Sequence, residues 1–313
     1  MAKDTRIDLN EEFNSTCKQN CNREERRGIT EDDLCNDIVS VIDSLPVRCV
    51  GEWAIQKIYH LLQYFNIFTK GMTAKWDGKI NYIEICSGPG RCVNRQSGYE
   101  FDGTPLSIIQ SEGFKCLNKA LFFDYSENVI SILQSRIKAN NVSNACAMIG
   151  DYYYPEKICD DIIRETKGTG LYLVFIDPTD CSVPFVLLET LKRRLKNVDF
   201  IINSAIRTDF NRNIRNAIDF PETHKNVISK YKSFLGSDDF FDNPKIETSS
   251  PKQLRLMFRD SYIKSLSKIG YQFFDFKEIG NYYDLVFAST HSRGIDFWKK
   301  ANDIHYNGQR KLF

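Results

Sequence analysis

Four polar clusters stand where apolar runs of this chain end, and each suits a different piece of ligand chemistry. The first is Tyr82-Ile83-Glu84-Ile85-Cys86-Ser87-Gly88-Pro89-Gly90-Arg91, an apolar run that carries one acid and closes in small residues and two glycines. Glycines let backbone N–H groups approach a ligand closely, and the acid can orient a cationic group. The second is Asp124 at the end of Ala120-Leu121-Phe122-Phe123. A carboxylate there accepts hydrogen bonds from ribose hydroxyls; the plainer reading is a helix cap, a task open equally to Ser126. In the third, Gly150-Asp151-Tyr152, a carboxylate can accept from an adenine amine while an aromatic ring lies along it, although alone the tripeptide is a strand-ending turn. The fourth is Ile176-Asp177-Pro178-Thr179-Asp180, two carboxylates around a proline that restricts the residue before it to extended backbone. It reads as a substrate end rather than a cofactor end.

The elements that must position these clusters follow from the apolar pattern. Strand-like runs lie at 81–86, 119–123, 145–149, 171–176, 198–203, 271–276 and 282–288, and helical segments at 104–115, 126–140, 155–166, 184–196 and 253–269 separate most of them. Strands that are apolar throughout and alternate with helices predict an α/β fold, a parallel sheet covered on both faces. The last two runs are joined only around Gly280-Asn281, too short for a crossover, so they form an antiparallel hairpin. Ahead of the sheet, Trp53, Ile58, Leu61, Leu62, Phe65 and Phe68 recur at helical spacing, with Gly71 placed to close that helix. The expected organisation is an N-terminal helical extension over 1–70 and one α/β domain over 71–313, with an inserted segment at about 204–250. The polar stretch 94–103 separates the glycine loop from the helix opened by Thr104-Pro105.

Composition narrows the classes further. The chain has 313 residues, 42% hydrophobic and 27% charged, which fits a folded protein able to build a core without disulfide or metal staples. Lys plus Arg number 42 against 41 Asp plus Glu, so no global field draws polyanions or anionic membranes. No run of about 18 apolar residues occurs and MAKDTRIDLNEEF lacks a signal-peptide core, giving the expectation of a cytoplasmic protein away from membranes. The ten cysteines then read as reduced thiols; Cys17, Cys21 and Cys35 match no standard zinc spacing, and no metal is expected. Arg207, Arg212, Arg215, Lys225, Lys230 and Lys232, with Lys192-Arg193-Arg194, make 192–232 locally basic around Phe210, Phe220 and Tyr231. Such a patch can hold phosphates, but Asp209, Asp219 and Glu222 dilute it and favour a solvated surface. Four histidines dispersed in sequence and no G-x-S-x-G elbow argue against a hydrolase triad.

An α/β sheet ending in an antiparallel hairpin is the outline of a class I methyltransferase. A dinucleotide dehydrogenase fits less well: Val93 stands where a third glycine is needed, and Asp124 follows Gly90 by 34 residues rather than about 20. Segments similar to 177–180 in amino-methyltransferases hold an exocyclic amine by the acidic side chain and the proline carbonyl. Thr179-Asp180 here replace their Pro-Tyr, removing the aromatic platform for a flipped base.

The ordered set Gly51-Glu52-Trp53-x3-Lys57, Glu84-x3-Gly88-Pro89-Gly90-Arg91, Gly103-Thr104-Pro105-Leu106, Phe123-Asp124, Phe175-Ile176-Asp177-Pro178 and Tyr283-x-Leu285-Val286-Phe287-Ala288-Ser289-Thr290-His291 resembles the bacterial three-Cys-motif partner proteins, the TcmP family. The likeness spans about 50–295, with Glu84, Ile85-Cys86-Ser87 and Thr179-Asp180 departing from the family pattern. The resemblance implies a fold similar to S-adenosylmethionine-dependent methyltransferases and a separate three-cysteine protein as partner. On this reading Glu84, Ser87, Gly88, Pro89 and Gly90 hold the methionine end of the cofactor, Asp124 its ribose, and Asp151 with Tyr152 its adenine. Asp177 and Pro178 position an acceptor amine, in nucleic acid or elsewhere, with Thr179 and Asp180 on the substrate side. The alternative is a non-catalytic partner protein that keeps the fold and acts by docking.

Overall fold

The seven apolar runs form one sheet. The computed structural model describes residues 34–35, 38–95 and 97–303; Cys17, Cys21, His305 and half of the expected N-terminal extension lie outside the described residues. Strands β2 (Ile80–Ile85), β5 (Lys119–Asp124), β6 (Ala145–Ile149), β7 (Leu171–Ile176), β8 (Val198–Ser204), β9 (Phe273–Ile279) and β10 (Tyr283–Ser289) lie in the order β6-β5-β2-β7-β8-β10-β9. The first five are mutually parallel, and β10 is antiparallel to both β8 and β9. Counted within this sheet the order is three-two-one-four-five-seven-six, the Rossmann-like arrangement of class I methyltransferases. The central strands β2 and β7 are buried at every residue; β7 reads as an unbroken apolar run, whereas β2 carries the buried polar residues Asn81 and Glu84 among its apolar ones.

Helices cover both faces. Helices α1 (Trp53–Met72), α2 (Thr104–Gln110), α3 (Glu127–Ala139) and α9 (Ser292–Asn302) supply Phe65, Leu106, Leu133 and Trp298 to one core. Helices α4 (Pro155–Thr166), α5 (Phe185–Leu195), α6 (Asp209–Asp219), α7 (Lys225–Leu235) and α8 (Pro251–Lys268) supply Ile158, Leu188, Phe210, Tyr231 and Phe258 to the other. The segment at 204–250 therefore folds as two helices whose aromatic residues complete the core under α5 and α8. Among the described residues no helix is long and apolar enough to cross a membrane.

Several expected boundaries differ. Gly71 lies inside α1, not at its end; a Cβ there would come within 2.6 Å of the Phe297 ring, so the glycine makes room for α9. The helix expected over 104–115 stops at Gln110 and continues as a 3-10 turn, Glu112–Cys116. Strand β9 begins at Phe273 rather than at Tyr271, whose hydroxyl instead donates to the Val198 carbonyl at 2.8 Å. The polar stretch 94–103 is structured: β3 (Arg91–Asn94) and β4 (Glu100–Asp102) form a hairpin that pairs with β1 (Arg48–Val50) in a small second sheet. Buried Arg91 binds both Glu100 and Asp102 across the hairpin, and Glu100 also accepts from Ser40 Oγ and the Val41 amide.

Candidate functional site at the carboxyl edge of the sheet

The loop after β2 takes backbone conformations that its glycines make accessible. Cys86, Gly88 and Gly90 have φ of 65°, 68° and 90°, the left-handed region that glycine enters without steric cost. Asp124 anchors the loop: its Oδ2 accepts the Gly88 amide at 3.0 Å, and its Oδ1 accepts the Ser126 amide at 3.3 Å. The cap of α3 is Ser126, whose hydroxyl accepts from the Val129 amide at 3.2 Å. Asp124 thus does not cap α3, and each of its oxygens, holding one backbone amide, can accept a second donor.

The β3–β4 hairpin is an excursion from this loop. The chain leaves at Gly90 and returns at Gly103, whose amide donates to the Gly90 carbonyl at 2.8 Å. A Cβ on Gly103 would come within 3.2 Å of the Gly90 carbonyl, a tight approach that a residue without one avoids. The first turn of α2 consequently meets the glycine loop even though ten residues of polar sequence intervene. Thr104 at the start of α2 donates to Glu84, whose other oxygen accepts from Tyr82 Oη at 2.9 Å. Burial pushes the Glu84 carboxyl up to about 8; the Thr104 bond opposes this, and the nearby Asp177 charge adds to it. When protonated, Glu84 gives its own hydrogen to one of these two hydroxyls, which then accepts, and it forms a neutral strut between β2 and α2.

The opposite side of the site is built from three segments distant in sequence. Lys57, on α1, donates to both oxygens of Asp177 at 2.5 and 2.6 Å, with side-chain exposures of only 12% and 13%. Asn203, near the end of β8, donates from Nδ2 to Asp177 Oδ1 at 2.8 Å and to the Pro178 carbonyl at 3.3 Å. The two oxygens expected to grip an acceptor amine therefore both receive an amide from the chain itself. Asp180 faces away toward the 204–250 segment, where Lys230 reaches it at 3.3 Å and Asp209 at 2.8 Å.

Between these sides runs a cleft. Its wall includes Arg48, Trp53, Lys57, residues 86–90, Arg95, Thr104, residues 177–179, Asn203 and Tyr283; Glu84, Asp124, Asp151 and Tyr152 lie outside it. Arg95 sits over the Trp53 ring at 5.3 Å, and that ring stacks on Tyr282 with centroids 3.9 Å apart. Two buried oxygens of the wall, Ser87 Oγ and Asn203 Oδ1, have no hydrogen-bond partner among the described residues. Asp151 accepts the Tyr153 amide at 2.9 Å, and Tyr152 Oη meets Ser182 Oγ at 3.0 Å. These two stand after β6, on the far flank of the sheet from Asn203.

Sequence reasoning did not single out Lys57, except within a motif, nor Asn203, Arg48 or Arg95. Asn203 carried a usable signal, since a polar residue ending an apolar strand is the criterion that selects Asp124 and Asp177. The basic segment is largely neutralised: Arg193 and Arg194 pair with Glu156, Arg207 with Asp284, Lys225 with Glu222 and Lys232 with Asp238. Among the described residues the cysteines are free thiols, and no group of three His, Cys, Asp or Glu side chains is arranged to hold a metal. At the other edge of the sheet, burial pushes Asp199 up to about 7, against the influence of Ser289, Lys192 and Tyr64.

No family model and no curated protein matches this chain. Solved structures do resemble it. Human N-acetylserotonin methyltransferase in complex with SAM is 14% identical with a TM-score of 0.32, covering 76% of this chain and 56% of its own. Magnesium protoporphyrin IX methyltransferase from Synechocystis with bound SAH is 11% identical at TM-score 0.36, covering 76% and 86%. A Legionella pneumophila protein is 8% identical at TM-score 0.45, covering 83% and 94%. The assignment of fold rests on the strand order described above, not on these distant likenesses.

Proposed function

We propose that this chain is an S-adenosylmethionine-dependent methyltransferase of the TcmP type, acting on an amine acceptor. The observation that carries the reading is the cleft itself. A left-handed glycine loop, fixed from below by Asp124, faces a charged cluster on the ends of β7 and β8. The loop fits the cofactor on its own chemistry: Gly88 and Gly90 bring backbone at positive φ to the wall of the cleft, and Ser87 Oγ is a buried hydroxyl without a partner among the described residues. Ser87, Gly88, Pro89 and Gly90 would hold the methionine end, with Asp124 at the ribose and Asp151 and Tyr152 toward the adenine. Glu84 would act through the loop and α2, since its oxygens are taken by Tyr82 and Thr104. When bound, the cofactor supplies an electrophilic methyl group on sulfur; the chain supplies orientation and charge. Thr179 lies on the acceptor side, and Asp180 belongs to the junction with α7.

A second reading, a docking protein that keeps the fold for a three-cysteine partner, is favoured by one observation: the Asp177–Pro178 grip is already occupied by Asn203. Mass spectrometry of the purified protein separates the two. Retained S-adenosylmethionine or S-adenosylhomocysteine supports the enzyme. Neither ligand retained, and no heat with either at millimolar concentration, leaves the docking reading. For a cofactor-binding chain, Asp177→Ala should lower single-turnover methyl transfer roughly a hundredfold, the scale of a misplaced reactive group. An unchanged rate would remove Asp177 from the site.

A further inference from the structure

We infer that the acceptor's polar hydrogen is received by Asn203 Oδ1 rather than by the Asp177–Pro178 pair, an inference that rests on the methyl-transfer reading. A carboxamide has two hydrogens to give and one oxygen that accepts. Both acceptors within reach of Nδ2, Asp177 Oδ1 and the Pro178 carbonyl, are oxygens. Turning the amide over would set oxygen against oxygen at each, so its orientation is fixed by its partners. Oδ1 is then the end left over. Asn203 is 1% exposed, and this oxygen has no partner among the described residues.

Folded proteins rarely bury an oxygen without a donor. Asn203 belongs to the wall of the cleft, together with Ser87 and Gly88, so a ligand bound there can supply the donor that the described residues do not. This defines the acceptor class. The atom to be methylated bears at least one hydrogen, as in a primary or secondary amine or a hydroxyl, whereas a tertiary amine or a thioether has nothing to offer. Asp177 becomes a positioning residue: with Lys57 across both its oxygens, it holds the amide that meets the acceptor.

The test needs no knowledge of the acceptor. Sinefungin carries an amine-bearing carbon where S-adenosylmethionine carries its methyl-bearing sulfur, and S-adenosylhomocysteine carries neither group. Calorimetry on the full chain should give sinefungin an advantage of about tenfold or more over S-adenosylhomocysteine. Asn203→Ala should bring the two within about threefold while S-adenosylhomocysteine binding stays near the wild-type value. Equal binding of both ligands to the wild type overturns the inference, as does an advantage that survives the substitution. If the variant loses S-adenosylhomocysteine as well, the wild-type ratio decides. Binding of neither ligand to the wild type removes the cofactor reading, and this inference with it.

Discussion

The two sides of the cleft are built on different principles. On the glycine-loop side, the acids Glu84 and Asp124 are each held by two bonds from the chain, from Tyr82 and Thr104 and from the amides of Gly88 and Ser126. That side is a scaffold whose shape is set before any ligand arrives. The facing side brings Lys57, Asp177 and Asn203 together from α1, the end of β7 and β8 and ties them to each other across long stretches of sequence; each side leaves one buried oxygen without a partner among the described residues, Ser87 Oγ on the loop and Asn203 Oδ1 opposite. The contrast locates rigidity and chemistry in separate strands of one sheet, so substitutions on the two sides should fail in different ways.

The largest effect is expected at the cluster. Lys57→Met leaves a nearly buried carboxylate without its cation, and should lower unfolding free energy in urea by about 3 kcal/mol. Adding Asp177→Asn should recover much of it; a single-variant loss under about 1 kcal/mol would mean that the pair is solvated after all. Gly88→Val, on the loop side, should instead spare most of the fold and abolish the stabilisation by S-adenosylhomocysteine, worth about 2.7 kcal/mol at a hundred times its dissociation constant. A retained melting shift would show that the loop does not cradle that ligand.

Glu84 gives a pH signature. Its carboxyl is raised from 4.5 to about 8 in the folded chain, so between those values the native state holds a proton that the unfolded chain has lost. The Glu84 contribution to stability should therefore be full below pH 4.5, fall as pH rises through this window, and be lost above about 8, with a slope of up to about 1.4 kcal/mol per pH unit that adds to the Asp199 contribution below pH 7. Glu84→Gln should leave only the part due to Asp199, which ends near pH 7. A slope continuing unchanged to pH 8 in that variant would assign the effect elsewhere. The smallest effect is at the helix beside the loop: Ser126→Ala removes the α3 cap at about 1 kcal/mol and should leave the Asp177 side untouched, as thermal melting and ligand calorimetry on the one variant would reveal.

How much of this was legible depended on whether the determining interaction was local. The central strands were readable because burial on both faces leaves Leu171–Ile176 wholly apolar or aromatic and Ile80–Ile85 so but for Asn81 and Glu84. Asp124 and Asp177 were readable as acids ending such strands. The helices Asp209–Asp219 and Lys225–Leu235 were readable in principle, since Phe210, Ile214 and Ala217 share one buried stripe. Gly71 misled because its neighbour Phe297 is more than two hundred residues away in the chain. The small sheet was hidden for a related reason: its strands are three or four residues long and polar, and Arg91 is buried only because Glu100 and Asp102 fold back on it. Lys57 stood in a motif without a role until a residue 120 positions later gave it one.

The parallel pairing of Arg48–Val50 with Arg91–Asn94 also fixes an order of assembly. As the chain is made from its N-terminus, the wall carrying Arg48 has nothing to pair with until α1, β2 and the glycine loop have been synthesised. Lys57 waits longer still, for Asp177 and then Asn203. Contacts this far apart in sequence form late and slowly, so the cleft is among the last features completed on a nascent chain. A small molecule that binds there can stabilise the finished protein, but it offers no foothold to the half-made one, which must reach its sheet unaided.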